Sequence, residues 1–396
     1  MNYKDISAKY IMNTYNRYPL TLVKGEGSYV YDDENRRYLD FIAGIAVCSL
    51  GHAPKLIKDA LTQQAEKLIH TSNLFYTLPQ IKLAEQISNK ISKDKEWKTF
   101  YCNSGAEANE AAIKLCRKYH SNKGNKRYEI ITFFNSFHGR TYGALSATAQ
   151  EKFHKGFEPM LPGFKYLPFN DIEILKSSIS ETTGAIFLET IQAEGGVNVA
   201  GENYLHEIYD ICREKDILLV IDEVQTGLGR TGKLFSFEHF GIEPDIFTLA
   251  KGIAGGLPMG VMVAKEDVAD AFEPGNHAST FGGTPLVASV ACEVFKTISD
   301  AGFLKAIEEK GKYLAQKLET LKSELPILEI RGKGLLVGVK IKVKEPTNVI
   351  TNAIKEGLLI NITANDIVRL VPPLTVTFDE IDEFISKFRK VLMNSS

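Results

Sequence analysis

The sequence predicts an α/β protein: a large, mostly parallel sheet covered by helices, joined to a smaller α+β domain. Three observations predict it. From about residue 98, short apolar runs alternate with helical patterns, the signature of strands wound between helices. Most of those runs are continuously apolar, as strands buried on both faces of a parallel sheet read. After about residue 285 the alternation gives way to two long helical stretches, several short strands and a final helix. The expected division is a large domain over residues 50–284 and a small domain made of residues 1–49 and 285–396.

Gly27–Tyr31 and Tyr38–Phe41 read as short strands, joined by a turn at Asp32–Asp33–Glu34–Asn35. Pro54–Leu68 and Leu78–Ile91 carry apolar residues at three- and four-residue spacing and read as helices. The alternating region offers strands at Thr99–Cys102, Tyr128–Phe134, Ala185–Glu189, Ile217–Asp222, Ile246–Ala250 and Met259–Ala264. Helices fall between them, as at Ala106–Tyr119 and Tyr204–Lys215. Beyond it, Val287–Ser299 and Phe303–Leu321 read as helices. Ile327–Arg331, Gly334–Ile341, Leu358–Ile362 and Val368–Val371 read as short strands. Thr377 and Glu380 form a capping box that opens a last helix to about Met393. No internal repeat or low-complexity tract interrupts this order.

Composition narrows the function classes. The 396 residues suffice for two or three ordinary domains. A net charge of -2 supplies no bulk attraction to nucleic acid. Cys48, Cys102, Cys116, Cys212 and Cys292 are odd in number and form no CxxC pair, which points to free thiols in a reducing compartment. Met1–Tyr10 has no apolar segment of a secretory signal, and no apolar stretch reaches the length of about 18 residues that a membrane span needs. The cytoplasm is the expected location.

The chemistry concentrates at strand ends. Ile217–Ile221 delivers Asp222, and Asp245–Ala250 delivers Lys251, which is followed by Gly252, Gly255 and Gly256. An amine and a carboxylate so placed are what a pyridoxal phosphate enzyme needs: the lysine makes the Schiff base, and the carboxylate keeps the ring nitrogen protonated. A buried lysine has a lowered pKa, which favours the free amine. The plainer reading is a lysine extending to solvent, with Asp222 a helix cap or a metal ligand; no histidine or cysteine cluster lies near it in sequence. Asn103–Glu110 follows a strand and opens a helix whose amino terminus suits a phosphate, although Ser104 and Glu107 also suit an ordinary capping box. Phe137 at a strand exit is able to stack on a flat ring, and Arg140 to fork a carboxylate. Taken alone, they read more readily as a loop aromatic and a surface arginine. His138 is either a base or a structural histidine. Ser279–Gly283 is a second phosphate contact or a turn. In α/β sheets, ligands bind beyond the carboxyl ends of the strands, where these residues fall.

Ser104–Glu110, Phe137–Arg140, Glu189–Val197, Asp222–Gly232, Leu249–Gly260 and Ser279–Pro285 together resemble the class III pyridoxal phosphate aminotransferases of the aspartate aminotransferase fold (fold type I). Leu22–Gly27, Tyr38–Val47 and His70–Tyr76 look like the branch that moves the δ-amine of N2-acetyl-L-ornithine to 2-oxoglutarate in arginine biosynthesis. The resemblance implies pyridoxal 5'-phosphate as cofactor, with Lys251 and Asp222 catalytic. Implied cofactor contacts are Gly105, Ala106, Phe137, Asp222, Glu223, Val224, Gln225, Lys251 and Thr280, the last reaching across a homodimer interface. Implied substrate contacts are Arg140 for the acetylornithine α-carboxylate, Ser279, and Arg369 for the α-carboxylate of glutamate or 2-oxoglutarate. Glu194 would pair with Arg369 during the first half-reaction and release it for the second. Such a bridge should be only partly buried, or it would be too costly to open. Ala193 and Thr284 depart from the usual glycine and asparagine without removing a chemical group. Ile45 stands where ornithine-specific relatives carry tyrosine.

Rival substrates within the resemblance are succinylornithine, N-succinyl-diaminopimelate, ornithine and 4-aminobutyrate. A racemase or aminomutase would not need 2-oxoglutarate. A non-catalytic binding protein would not need Lys251, Asp222 and Arg369 intact. A nucleotide-dependent oxidoreductase would need a GxGxxG after the first strand of the α/β run, which is absent.

Overall fold

The computed structural model describes residues 3–92 and 96–395. Its centre is a seven-stranded sheet in the order Trp97–Cys102, Gly260–Lys265, Ile246–Leu249, Leu218–Asp222, Thr183–Leu188, Glu129–Phe133 and Phe164–Leu167. The last five run parallel to one another, and Gly260–Lys265 is antiparallel to both of its neighbours. Four strands, Thr183–Leu188, Leu218–Asp222, Ile246–Leu249 and Gly260–Lys265, are buried at every position, so their continuous apolarity follows from cover on both faces. Phe164–Leu167, an edge strand absent from the expected set, is only partly covered, and its polar Lys165 blurs the apolar signal.

Two four-stranded sheets flank this core. One joins Leu22–Glu26, Tyr29–Asp32 and Arg37–Asp40 to Leu358–Leu359. The other joins Ile327–Lys333, Leu336–Ile341, Ile367–Leu370 and Asn361–Thr363. The run Leu358–Ile362, expected as one strand, is therefore two: its first residues pair with Arg37–Asp40, and after Ile360 the chain crosses to pair with Ile367–Leu370. The crossing sets Asn361 opposite Arg369 in register.

Helices fall where apolar periodicity placed them. Gly105–Asn122 packs beside the central sheet through Ala108, Ala111, Ala112 and Leu115. The final helix, Phe378–Met393, starts on the capping box: Thr377 Oγ1 accepts from the Glu380 N–H at 3.1 Å, and Glu380 Oε2 accepts from the Thr377 N–H at 2.8 Å. Helices Tyr3–Tyr10 and Pro346–Lys355 were not anticipated; the first buries no side chain and so carries little amphipathic signal. One apolar core runs from Leu39 and Phe41 through the central sheet to Phe384 and Phe388, coupling the flanking sheets to the strand ends. Among the described residues no helix is long and apolar enough to cross a membrane.

Candidate active site

A cavity of about 450 Å³ opens at the carboxyl ends of the parallel strands. Asn103, Gly105, Ala106, Asn109, Phe137, His138, Arg140, Glu189, Asp222, Val224, Gln225 and Lys251 line it. A larger hollow of about 1010 Å³ lies between helices Lys55–Ala65 and Leu78–Ile91, away from these groups.

Asp222 ends the strand Leu218–Asp222 and is 3 % exposed. Its Oδ2 accepts from Asn109 Nδ2 at 2.9 Å and lies 2.8 Å from His138 Nδ1; its Oδ1 accepts from the Val224 N–H at 2.9 Å. Asn109 is itself fixed by the His138 carbonyl at 2.7 Å and by the Thr248 hydroxyl at 2.7 Å. The His138 ring stacks on Phe187 at 4.3 Å. His138 is thus the partner that orients the carboxylate from behind. Asn109 and Glu189 complete this layer and were not singled out from sequence. A buried asparagine one turn into a helix looks like any polar helix residue until the sheet beside it is known. Glu189 accepts from the Phe137 N–H at 3.1 Å, and burial, reinforced by nearby Asp222, pushes its carboxyl well above the usual range.

Lys251 follows Leu249 by two residues, in a short 3-10 turn with φ +47°. A left-handed lysine costs about 1–3 kcal/mol, which the packing around it must offset. The neighbouring charges Glu194, Arg369, Asp222 and Glu189 all reach its amine, but burial dominates and lowers its pKa to about 8.

The helix Gly105–Asn122 aims its amino terminus into the same cavity. Ser104 Oγ accepts from the Glu107 N–H at 3.2 Å, so the ordinary cap is present. The Glu107 carboxylate reaches past Ser104 to the Asn103 N–H at 2.9 Å. The first-turn N–H groups of Gly105 and Ala106 have no acceptor within a helix. A Cβ on Gly105 would stand 2.7 Å from Val224, so only glycine keeps that approach open.

Arg140 is exposed, with its guanidinium 4.0 Å from the centre of the Phe153 ring and 5.4 Å from that of Phe137. Arg369 is 1 % exposed and pairs with Glu194 through Nη1; that nitrogen also donates to Gln225 Oε1 at 3.1 Å. The Glu194 side chain keeps 26 % of its surface accessible. Burial alone would raise its carboxyl pKa, but Arg369, Lys251 and the bonds from Arg369 and Gln225 outweigh that and lower it. The partial burial expected of the pair therefore belongs to the glutamate alone.

Five expected residues are off the cavity wall: Glu194 and Arg369, which join it through Gln225, and Glu223, Thr280 and Ser279. Glu223 turns away from the cavity toward Ser236, Thr226 and the Phe237 N–H, and burial raises its carboxyl to about 7. Thr280 is exposed and off the cavity wall. Ser279 accepts from Asn103 Nδ2 at 3.2 Å, at the cavity's edge. Among the described residues, no three His, Cys, Asp or Glu side chains are placed to hold a metal ion.

Pyridoxal phosphate fits this donor set. The helix end kept open by Gly105 suits a phosphate, the enclosed Asp222 a protonated ring nitrogen, and the low-pKa Lys251 amine an aldehyde. Fold and site define a pyridoxal phosphate-dependent transaminase.

The chain belongs to the family Aminotransferase class-III, whose sequence profile matches residues 10–392. It is 53 % identical to the acetylornithine aminotransferase of Caldanaerobacter subterraneus subsp. tengcongensis, over 97 % of each chain. It is 46 % identical to the acetylornithine aminotransferase of Methanocaldococcus jannaschii, over 98 % of each chain. Among solved structures, the N-acetylornithine aminotransferase of Stenotrophomonas maltophilia matches at TM-score 0.85 and 34 % identity, covering 98 % of each chain. The ornithine aminotransferase of Toxoplasma gondii matches at TM-score 0.94 and 31 % identity, covering 99 % of this chain and 94 % of that one.

Proposed function

We propose that the protein transfers the δ-amino group of N2-acetylornithine to 2-oxoglutarate, as a cytoplasmic homodimer serving arginine biosynthesis. The observation that carries the substrate pair is the Glu194–Arg369 bridge: a fully buried arginine held by a glutamate with part of its surface free. Such a bridge lets one pocket accept a δ-amine first and an α-carboxylate second. Identity supports the acyl-ornithine choice: the acetylornithine aminotransferases of Caldanaerobacter subterraneus and Methanocaldococcus jannaschii share 53 % and 46 % of their sequence with this chain, while among the solved structures the N-acetylornithine and ornithine aminotransferases share 34 % and 31 %.

When bound, pyridoxal phosphate supplies a carbonyl for the substrate amine and a protonated ring that draws electrons from the reacting carbon. Gly105 and Ala106 would hold its phosphate through backbone N–H groups, with Thr280 of the second subunit as a further contact. Phe137 would cover one ring face, Gln225 and Val224 would flank the ring, and Asp222, fixed by His138 and Asn109, would face the ring nitrogen. Glu223 acts indirectly, by holding the loop after the strand. The Lys251 amine, neutral in part at pH 7 because burial lowers its pKa to about 8, would take the proton from the substrate δ-carbon and deliver it to the cofactor's aldehyde carbon, and would run the shift the other way with 2-oxoglutarate. Arg140 holds the acetylornithine α-carboxylate beside Ser279, and Arg369 holds that of 2-oxoglutarate after Glu194 swings away.

The homodimer rests on surface chemistry. Leu74, Phe75, Tyr76 and Leu78 are 66–97 % exposed, an apolar run at the surface that supports a subunit contact there. Asn73 beside them donates to the carbonyls of Ser279 and Gly282, which ties the patch to Thr280.

The test is a panel of amine donors with 2-oxoglutarate, scored by kcat/KM. Acetylornithine should lead succinylornithine, N-succinyl-diaminopimelate, ornithine and 4-aminobutyrate. A clear preference for 4-aminobutyrate overturns the proposal.

A further inference from the structure

Arg369 is held from two sides by neutral amides as well as by Glu194. Strand Asn361–Thr363 pairs with Ile367–Leu370 so that Asn361 and Arg369 stand opposite each other. Oriented by its neighbours, the Asn361 amide oxygen accepts from Arg369 Nη2 at 2.9 Å, and its nitrogen donates to the Arg369 carbonyl at 3.3 Å. On the other side Gln225 Oε1 accepts from Arg369 Nη1 at 3.1 Å. Glu194 is the charged third partner, and Gln225 Nε2 donates to it at 3.3 Å. The Thr363 hydroxyl, two residues after Asn361, donates to the Glu194 carbonyl oxygen. Arg369 Nε is buried with no acceptor.

The charges decide what this arrangement does. A buried guanidinium whose only partner swings away is left uncompensated and shifts toward any remaining acceptor. Here three partners carry dipoles but no charge, the Asn361 and Gln225 amides and the Ala193 carbonyl, which accepts from Nη1 at 3.4 Å; of these the Asn361 amide is bonded to the arginine's own backbone as well as to its side chain. They keep the planar fork in place while leaving its positive charge for an incoming carboxylate. A swing of Glu194 would involve its side chain alone, because the Thr363 hydroxyl pins its main chain.

We propose that Asn361 is a positioning residue for the second half-reaction: its neutral amide holds Arg369 in a carboxylate-ready pose through the interval when Glu194 has left. This rests on the reading of Arg369 as the reader of the 2-oxoglutarate α-carboxylate. An aspartate at this position would be the same size but a permanent competitor for the arginine. A serine would be neutral but too short to reach Nη2.

The experiment uses holoenzyme with Asn361→Asp, Asn361→Ser and, as a control on the parent reading, Arg369→Lys. Each half-reaction is followed separately in single turnovers, and calorimetry measures binding of glutarate, an unreactive dicarboxylate. N361D should weaken 2-oxoglutarate and glutarate by roughly a hundredfold and N361S by about tenfold, the worth of a charged and of a single polar contact to an arginine. The acetylornithine half-reaction should stay within about twofold in both, since that substrate does not use the arginine. A structural role alone would lower both halves together, and that result overturns the proposal. So does an unchanged 2-oxoglutarate arm in N361S alongside a weakened one in R369K. If R369K itself leaves 2-oxoglutarate unaffected, the parent reading falls and this inference with it. Should N361D not fold, N361S carries the same three arms.

Discussion

Burial of Lys251 has a consequence that pH reveals directly. An ordinary lysine amine titrates at 10.5, and here burial lowers it to about 8. At pH 7 the neutral, nucleophilic fraction is then about a tenth, roughly 300-fold more than for an exposed lysine. In cofactor-free protein, acetylation by dilute acetic anhydride, a small neutral electrophile, reads that fraction at each lysine by mass spectrometry. Lys251 should reach a plateau just above pH 8, while exposed lysines keep gaining about tenfold per pH unit toward pH 10. The sign for stability follows. Below pH 8 the amine is protonated both folded and unfolded, and its burial destabilises the fold by a constant amount. Between about 8 and 10.5 only the unfolded chain keeps the proton, so stability rises with pH until the penalty is gone. Lys251→Met should therefore stabilise the cofactor-free protein at pH 7. A Lys251 that labels in step with exposed lysines up to pH 10 refutes the burial argument.

Glu194→Gln removes the charge that covers Arg369, so acetylornithine should lose about tenfold or more in kcat/KM to glutamate-like donors while 2-oxoglutarate is spared; half-reaction rates check it. Gly105→Ala drives a Cβ against Val224, so equilibrium dialysis should show cofactor affinity falling about tenfold or more with a modest drop in Tm. Asn109→Ala strips a donor from buried Asp222 and leaves the Thr248 hydroxyl without its acceptor; denaturant unfolding should show a loss of about 1–3 kcal/mol.

The strand ends were legible because a strand buried on both faces has no polar position until it reaches the surface, so Asp222 and the residues before Lys251 mark their own place. The capping box at Thr377 was equally plain, being local chemistry. What escaped depended on distant partners. Asn109 is polar on a helix, and nothing in its neighbours along the chain says that Asp222, 113 residues away, will meet it. His138 reads from sequence as a structural histidine before it reads as a base, and the Asp222 contact gives it its place. Leu358–Ile362 reads as one strand because both halves are apolar; the crossing between two sheets is a tertiary event. Glu223 sits in the most specific motif, yet faces the opposite way from Asp222, as alternation along an extended chain requires.

The central claim is that the Lys251 side chain joins covalently to the cofactor aldehyde. Borohydride reduction of the holoenzyme, followed by peptide mapping, tests it most directly. The reduced phosphopyridoxyl adduct should appear on Lys251 and be absent from the Lys251→Ala variant. An adduct on another lysine, or none at all, contradicts the account.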